Sequence, residues 1–285
     1  MGGTSLPDYN ILLLERELTM VELNIITGRK AHRYQTPESW EELDGRQLKH
    51  AMLYKVLNTQ EYREKEARRI LGVKRRVWRK IPSAQKCMMT EELLRFVFEE
   101  TPSFRDNKIP VVRAGVRRLH GFDDMFSDMT WEEFIYADTF MLRKMYREMV
   151  TVLYRPANPL TGRKRPFSDK DLPRNSRRTD RLDETTVALL ALNYRAVRKK
   201  AVEEMNGYLF PSMDETYMDG KRITLEEEEA QAPNQAAGWA DTHHILMGEQ
   251  AYEEEKFLRS KATTIVAWIN RRIKESREAE RKRKR

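Results

Sequence analysis

The stretch from Thr130 to Pro156, TWEEFIYADTFMLRKMYREMVTVLYRP, narrows the possible folds more than any other part of the chain. It opens on Thr130-x-x-Glu133, a capping box whose two side chains can each satisfy an exposed amide at a helix start. It closes on Pro156, which cannot continue a helix. Between them Phe134, Ala137, Met141, Met145, Met149 and Val152 recur at three- and four-residue steps, and Leu142, Tyr146 and Leu153 widen the same face. A helix this apolar needs partners on more than one side. The spacing therefore predicts a helix over residues 130–153 at the centre of a helical core.

A second strong periodicity begins at Asp183, which stands where an N-cap belongs, and continues through ETTVALLALNYRAVRKKAVEEMNG. Gly207 falls at the expected left-handed closing position. These two segments form the expected central pair. Leu258, Ala262, Ile265, Val266, Ile269 and Ile273 mark the buried stripe of a last helix, from about Glu253 to the low 280s. Beyond Ile273 only Ala279 is apolar, so the final turns should project from the body.

Toward the N-terminus the pattern changes period. Val21, Leu23 and Ile25 alternate with polar residues, Thr27-Gly28-Arg29 is a turn, and Ala31 to Gln35 reads as a return strand. One strand and a loop is the alternative. Ile11 to Leu14 can pack as a short strand or a turn of helix. Ser39 and Glu42 form another capping box, ahead of a stripe of Leu48, Met52 and Val56. Trp40, in that first turn, should pack back onto the hairpin. Glu61 to Leu71 and Thr90 to Glu100 read as further helices, while residues 103–129 read as irregular, punctuated by Pro110, Gly115 and Gly121. The expected fold is mainly α, a multi-helix bundle with a small N-terminal β-hairpin. It spans residues 20–275 as one domain, between a lead (1–19) and a basic tail (276–285). Residues 211–238, with Glu226 to Glu229, form an acidic connection.

The chain carries 53 Lys and Arg against 45 Asp and Glu, a net charge of +8, and the excess is concentrated. Residues 63–80 hold nine basic and two acidic side chains; residues 155–181 and 271–285 each hold nine and three. Such runs attract nucleic acid or acidic proteins, or are simply solvated. Residues 155–181, dense in Pro, Arg, Lys and Asn, read as a long surface loop. Trp78 lies inside the first run, where it can stack on a base or anchor packing beneath cationic stems. The single Cys87 excludes an internal disulfide and fits a reducing compartment. No apolar run approaches the roughly 18 residues of a membrane span, and the first residues lack the basic start and apolar core of a secretory signal.

Catalytic and metal signatures are weak. His243 and His244 are adjacent, so they point apart on a helix, and they read as a surface pair. Cys87 has no neighbouring nucleophile motif. Asp123, Asp124 and Asp128 do not follow the EF-hand spacing. Gly28-Arg29-Lys30 and Gly162-Arg163-Lys164 lack the spacing of a phosphate loop. No enzymatic activity, cofactor or metal is expected.

Three segments in order carry a resemblance. Thr36-Pro37-Glu38-Ser39-Trp40-Glu41-Glu42-Leu43 with Gln47-Leu48 is similar to the opening of a poorly characterised helical family of Bacteroidetes-type phages and prophages. Phe134-Ile135-Tyr136-Ala137-Asp138 leading to Val152-Leu153-Tyr154-Arg155-Pro156 resembles its central segment. Leu189 to Arg198, ending at Tyr208-Leu209-Phe210-Pro211, resembles its third. The family is encoded in the tail-morphogenesis region. The resemblance implies a non-enzymatic tail-morphogenesis or virion-associated protein, in the host cytoplasm or the virion. Its partners would be other phage structural or tail proteins, and it would resemble a chaperone covering the apolar stripe of a tape measure helix. The alternative is a nucleic-acid-binding protein using residues 63–80, 155–181 and 271–285. Under either reading the candidate partner-binding residues are Arg163, Lys164, Arg165, Arg271, Arg272, Arg281, Lys282, Arg283, Lys284 and Arg285.

Overall fold

Chain contacts divide the protein into two compact units, Met1–Pro102 and Ser103–Arg285, a boundary absent from the single-domain expectation. The structure, a computed structural model, describes residues 11–14, 21–27, 30–56, 59–162, 164–210, 239, 242–243 and 254–283. The acidic connection expected over 211–238 lies outside the described residues. The fold is mainly helical, with the expected small hairpin near the N-terminus.

In the first unit, β1 (Ile11–Leu14), β2 (Val21–Thr27) and β3 (Lys30–Thr36) form an antiparallel sheet. Leu23 pairs with Tyr34 and Ile25 with His32, and Leu23 and Ile25 are buried, as the period-two pattern requires. The expected capping box at Ser39 does not form. Ser39 makes no side-chain cap bond, and only a 3-10 turn spans Trp40–Glu42. Leu43 follows in extended conformation with its side chain fully buried, which ends the turn. The working box lies next door: Asp44 Oδ1 accepts from the Arg46 and Gln47 amides at 2.7 Å, and Gln47 Oε1 accepts from the Asp44 amide at 3.0 Å. Helix α1 (Gly45–Val56) starts there and buries Leu48, Ala51 and Tyr54; Val56, expected in the stripe, is exposed.

Trp40 is buried, but its ring meets Phe96 edge-on at 5.8 Å and its indole donates to the Phe96 carbonyl at 3.2 Å. These contacts come from a helix later in the unit, and Lys55 of α1 lies over the same ring at 6.0 Å. Helices α2 (Gln60–Ile70), α3 (Arg75–Trp78), α4 (Ser83–Leu93) and α5 (Phe96–Glu99) complete the unit. The helix expected from Thr90 to Glu100 is broken, with Leu94 at φ −108° and ψ 15° ending the first part, while Leu93, Leu94, Phe96 and Val97 are all buried. The chain turns at Leu94 instead.

The second unit holds a second hairpin, inside the region read as irregular. Strand β4 (Val111–Ala114) pairs with β5 (Arg117–His120) across a two-residue turn, and β5 pairs with β6 (Arg155–Pro156). Gly115, in the turn, has φ +63°, which a side chain disfavours. The long helix predicted over 130–153 is two helices, α6 (Trp131–Leu142) and α7 (Tyr146–Leu153). Thr130 caps α6 as expected, accepting from the Glu133 amide at 3.2 Å. The break is a Schellman closure: the Met145 amide donates to the Phe140 carbonyl, the Lys144 amide to Met141, and Lys144 sits at φ +59°. Five successive residues of α7, Met149 to Leu153, are buried, so this helix is enclosed all round. Phe134 and Ala137 are buried as predicted, whereas Met145, at the break, is exposed.

Asp183 caps α9 (Glu184–Arg198), accepting from the Thr186 amide at 2.9 Å. The helix continues as a π-helical segment over Lys199–Glu204. Gly207 does not adopt the expected left-handed conformation; Asn206 closes the segment by donating its side-chain amide to the Val202 carbonyl at 2.7 Å. Residues 155–181 are not one loop, since α8 (Leu172–Thr179) lies within them. The last helix is split into α10 (Glu254–Leu258) and α11 (Ala262–Arg283); Ala262, Ile265, Val266 and Ile269 are buried, and residues 274–283 are exposed.

Candidate functional site

Helix α8 has the wrong chemistry for its spacing. Arg174, Arg177, Arg178 and Arg181 recur at i, i+3, i+4 and i+7, the rhythm of a buried apolar stripe. Four guanidiniums therefore share one side of α8 and its exit turn. The helix is anchored by its other side, where Asn175 and Thr179 are buried. Thr179 Oγ1 lies 2.6 Å from Thr151 Oγ1 on α7, and Arg147 donates to the Thr179 and Leu182 carbonyls at 2.9 and 3.2 Å. Arg147 thereby caps the open carbonyl end of α8 with positive charge.

The arginine side faces the second hairpin. Ala114, Arg117, Arg174, Arg177, Arg178 and Arg181 line one pocket of about 240 Å³. A Cβ at Gly115 would stand 3.5 Å from the Cδ and Nη1 of Arg181, so the turn backbone lies against that side chain. Across the ribbon, Arg113 pairs with Arg118 on the opposite face from Ala114 and Arg117, and both are exposed.

Compensating charge is scarce at this pocket. Among the described residues, none of Arg117, Arg174, Arg177, Arg178 and Arg181 is in an ion pair. Partial burial, then the guanidiniums of Arg174, Arg117 and Arg165, push Arg178 below the usual arginine range; Asp171 opposes them. Arg178 donates to Asn175 Oδ1 at 2.8 Å. The arrangement offers several guanidinium donors and several positive charges to an oxyanion. Its volume falls below the roughly 300–1,000 Å³ of pockets that enclose drug-sized ligands. It therefore suits an anionic group on a larger molecule.

The sequence-predicted residues fall in different places. Lys164 is not available to a partner: its ammonium bridges Glu133 Oε1 at 2.8 Å and Asp128 Oδ2 at 2.9 Å, and its side chain is only 8% exposed. Arg165 is exposed and contributes to the field on Arg178. Arg271, Arg272, Arg281, Lys282 and Arg283 are exposed along α11, with Arg272 lying over the Trp268 ring at 5.4 Å. Arg163, Lys284 and Arg285 lie outside the described residues. Arg117, Arg174, Arg177, Arg178 and Arg181 were not singled out as site residues. The signal for four of them was the helical spacing of the arginines; nothing in the sequence pointed to Arg117, because its hairpin was not recognised.

The candidates rejected for chemistry have structural roles. Asp124 accepts from the Asn107 amide and Asp128 from the Asp123 amide, both at 2.7 Å. Cys87 donates to Glu91 Oε1 at 3.2 Å, and that carboxylate pushes the thiol up, which disfavours the reactive thiolate. His243 is buried, contrary to the surface reading, and lies 3.4 Å from Glu254 Oε1; His244 is outside the described residues. Among the described residues no group of three or more His, Cys, Asp and Glu could hold a metal ion, and no helix is long and apolar enough to cross a membrane. No family model, curated protein or solved structure matches the chain.

Proposed function

We propose that the second unit binds the phosphate backbone of nucleic acid through the arginine pocket between α8 and the β4–β5 hairpin. The observation behind this reading is the pocket itself: five arginines converge without an ion pair among the described residues. Arginine matches phosphate geometry with paired donors and stays charged at any physiological pH. A polymer would also meet Arg165, whose charge acts on Arg178 and which a single small anion in the pocket would not reach. Contacts of this kind fix position on the backbone and carry little sequence information.

The test is binding of a fluorescent 30-base-pair duplex of mixed sequence across a salt series. Engagement of four or five phosphates predicts a slope of log K against log salt of about −4, at roughly 0.9 per phosphate. Arg174→Glu/Arg177→Glu should weaken binding and flatten that slope. Unchanged binding by this variant would refute the reading.

The tail-morphogenesis reading rests on the three sequence motifs. One structural feature suits it: residues 274–283 of α11 are exposed on a continuous helix and could dock on an acidic protein. Co-purification of the full chain with a long coiled-coil protein, lost on removing residues 276–285, would favour that reading over the first.

A further inference from the structure

The basic run at residues 63–80 belongs to the other unit, and its charges divide into two groups. Two of the α2 members are engaged locally, while Lys65 is exposed. Arg68 donates to the Val73 carbonyl at 2.9 Å, and Arg69 pairs with Glu66 at 2.8 Å. The members around α3 are not: Lys74, Arg75, Arg76, Arg79 and Lys80 are all exposed, and none is in an ion pair among the described residues.

These five cations are held on a rigid mount. Gly72, at φ +67°, closes α2 with a Schellman motif in which the Val73 amide donates to the Arg68 carbonyl and the Gly72 amide to Arg69. Val73, Val77, Trp78 and Ile81 are buried beneath the cations. Trp78 donates to Glu64 Oε1 at 3.1 Å and carries the Lys86 ammonium 5.7 Å from its ring centre. The ring is thus enclosed and is the packing anchor of this segment, so it cannot stack on a base. What remains for a ligand is a surface of cationic tips around a fixed turn, with no exposed aromatic and no carboxylate paired to it.

We infer that the α3 segment is a second nucleic-acid contact, on the first unit, which grips the phosphate backbone without reading bases. The inference rests on the function proposed for the arginine pocket, which it extends to a chain with two separate grips on one polymer. Linking two weak sites in one chain turns the second contact into an intramolecular event and raises the overall affinity well above that of either site. A rigid mount helps, because less side-chain and backbone freedom is lost on binding.

The experiment compares full-length protein, Arg75→Gln/Arg76→Gln/Arg79→Gln, the pocket variant Arg174→Glu/Arg177→Glu, and the combination, each binding the same 30-base-pair duplex over a salt series. Circular dichroism and thermal unfolding confirm the fold of each variant; the three α3 substitutions fall on exposed side chains. The α3 variant should bind about tenfold more weakly and show a salt slope shallower by about 2–3, at roughly 0.9 per lost phosphate contact. The combination should lose more than either variant alone. Wild-type affinity and slope in the α3 variant would overturn the second grip while leaving the pocket reading intact. Wild-type binding in the pocket variant, with a loss in the α3 variant, would instead remove the pocket and leave α3 as the sole contact. Vesicles containing phosphatidylserine serve as a further probe: if they compete the duplex off the wild type but not off the α3 variant, the surface recognises anionic lipid and the inference fails.

Discussion

Two sets of arginines in the second unit show how the same side chain serves opposite ends. Arg155 and Arg198 are buried, and each is matched. Arg155 donates to Glu133 at 3.0 Å, to the Arg165 carbonyl at 2.9 Å and to the Val152 carbonyl. Arg198 grips Asp138 through Nε and through Nη2, the latter at 3.1 Å, and Asp138 also accepts from the Trp239 indole at 2.7 Å. Burial works against the charge on Arg198, but the Asp138 carboxylate outweighs it and holds the guanidinium above the usual arginine range. The pocket arginines share neither feature. Arg117, Arg174, Arg177 and Arg181 are exposed, and Arg178 is pushed the opposite way, by partial burial and then by the neighbouring guanidiniums. Buried arginines with carboxylates hold the unit together, whereas unmatched arginines at the surface leave a charge imbalance that a polyanion can neutralise.

The largest test of this contrast is Asp138→Ala. It strips the buried Arg198 guanidinium of its two-point partner, leaving only the part-exposed Glu203, and should destabilise the protein by about 3–5 kcal/mol, as for other broken buried pairs. Chemical denaturation measures it; a midpoint near wild type would show that the pair is not structural. Charge reversal in the pocket should behave inversely. Arg174→Glu/Arg177→Glu, both at exposed positions, should lower duplex affinity about thirtyfold, about 2 kcal/mol, at constant salt. Its stability should stay within about 0.5 kcal/mol of wild type, as for other surface changes. A large loss of stability would mean that these arginines are structural too, and the contrast would collapse.

Gly115→Ala probes the ribbon that completes the pocket. The positive φ should make alanine cost about 1–2 kcal/mol, read as a lower denaturation midpoint. Duplex binding should weaken with it if the turn sets the placement of Arg117. Stability loss with unaltered binding would detach Arg117 from the site. The smallest effect belongs to the end of α11. Since residues 274–283 are exposed, deleting residues 276–285 should change stability by no more than about 0.5 kcal/mol. Capture of duplex or of an acidic protein should nevertheless weaken. Unchanged capture by the truncated chain would leave those cations as a solvated helix end.

Features encoded over a few residues were legible before the structure. The Thr130 and Asp183 caps form as read, because a short polar side chain reaches an amide three residues on whatever surrounds it. The N-terminal hairpin followed from the alternation of Val21, Leu23 and Ile25. The second hairpin was missed because its strands are four residues long and rich in arginine, so no apolar alternation stood out. Helix α8 was missed because its helical rhythm is written in arginine and begins on Leu172-Pro173, a pair that reads as loop. Thr130-x-x-Glu133 was half right for an instructive reason: Thr130 caps, but the Glu133 carboxylate is drawn away to Arg155 and Lys164.

By itself, the sequence determined the helical class, the two caps, the main buried stripes and the uneven placement of positive charge. These depend on period and composition, which are local. Which cations remain open to a partner was decided only by the tertiary structure. Lys164 and Arg165 are neighbours in one basic run, yet the first is locked between Glu133 and Asp128 and the second stands in solvent beside the arginine pocket. The reason is physical. A guanidinium or ammonium is available for binding only where no carboxylate already faces it, and the carboxylates Glu133, facing Arg155 and Lys164, and Asp138, facing Arg198, come from 22, 31 and 60 residues away along the chain.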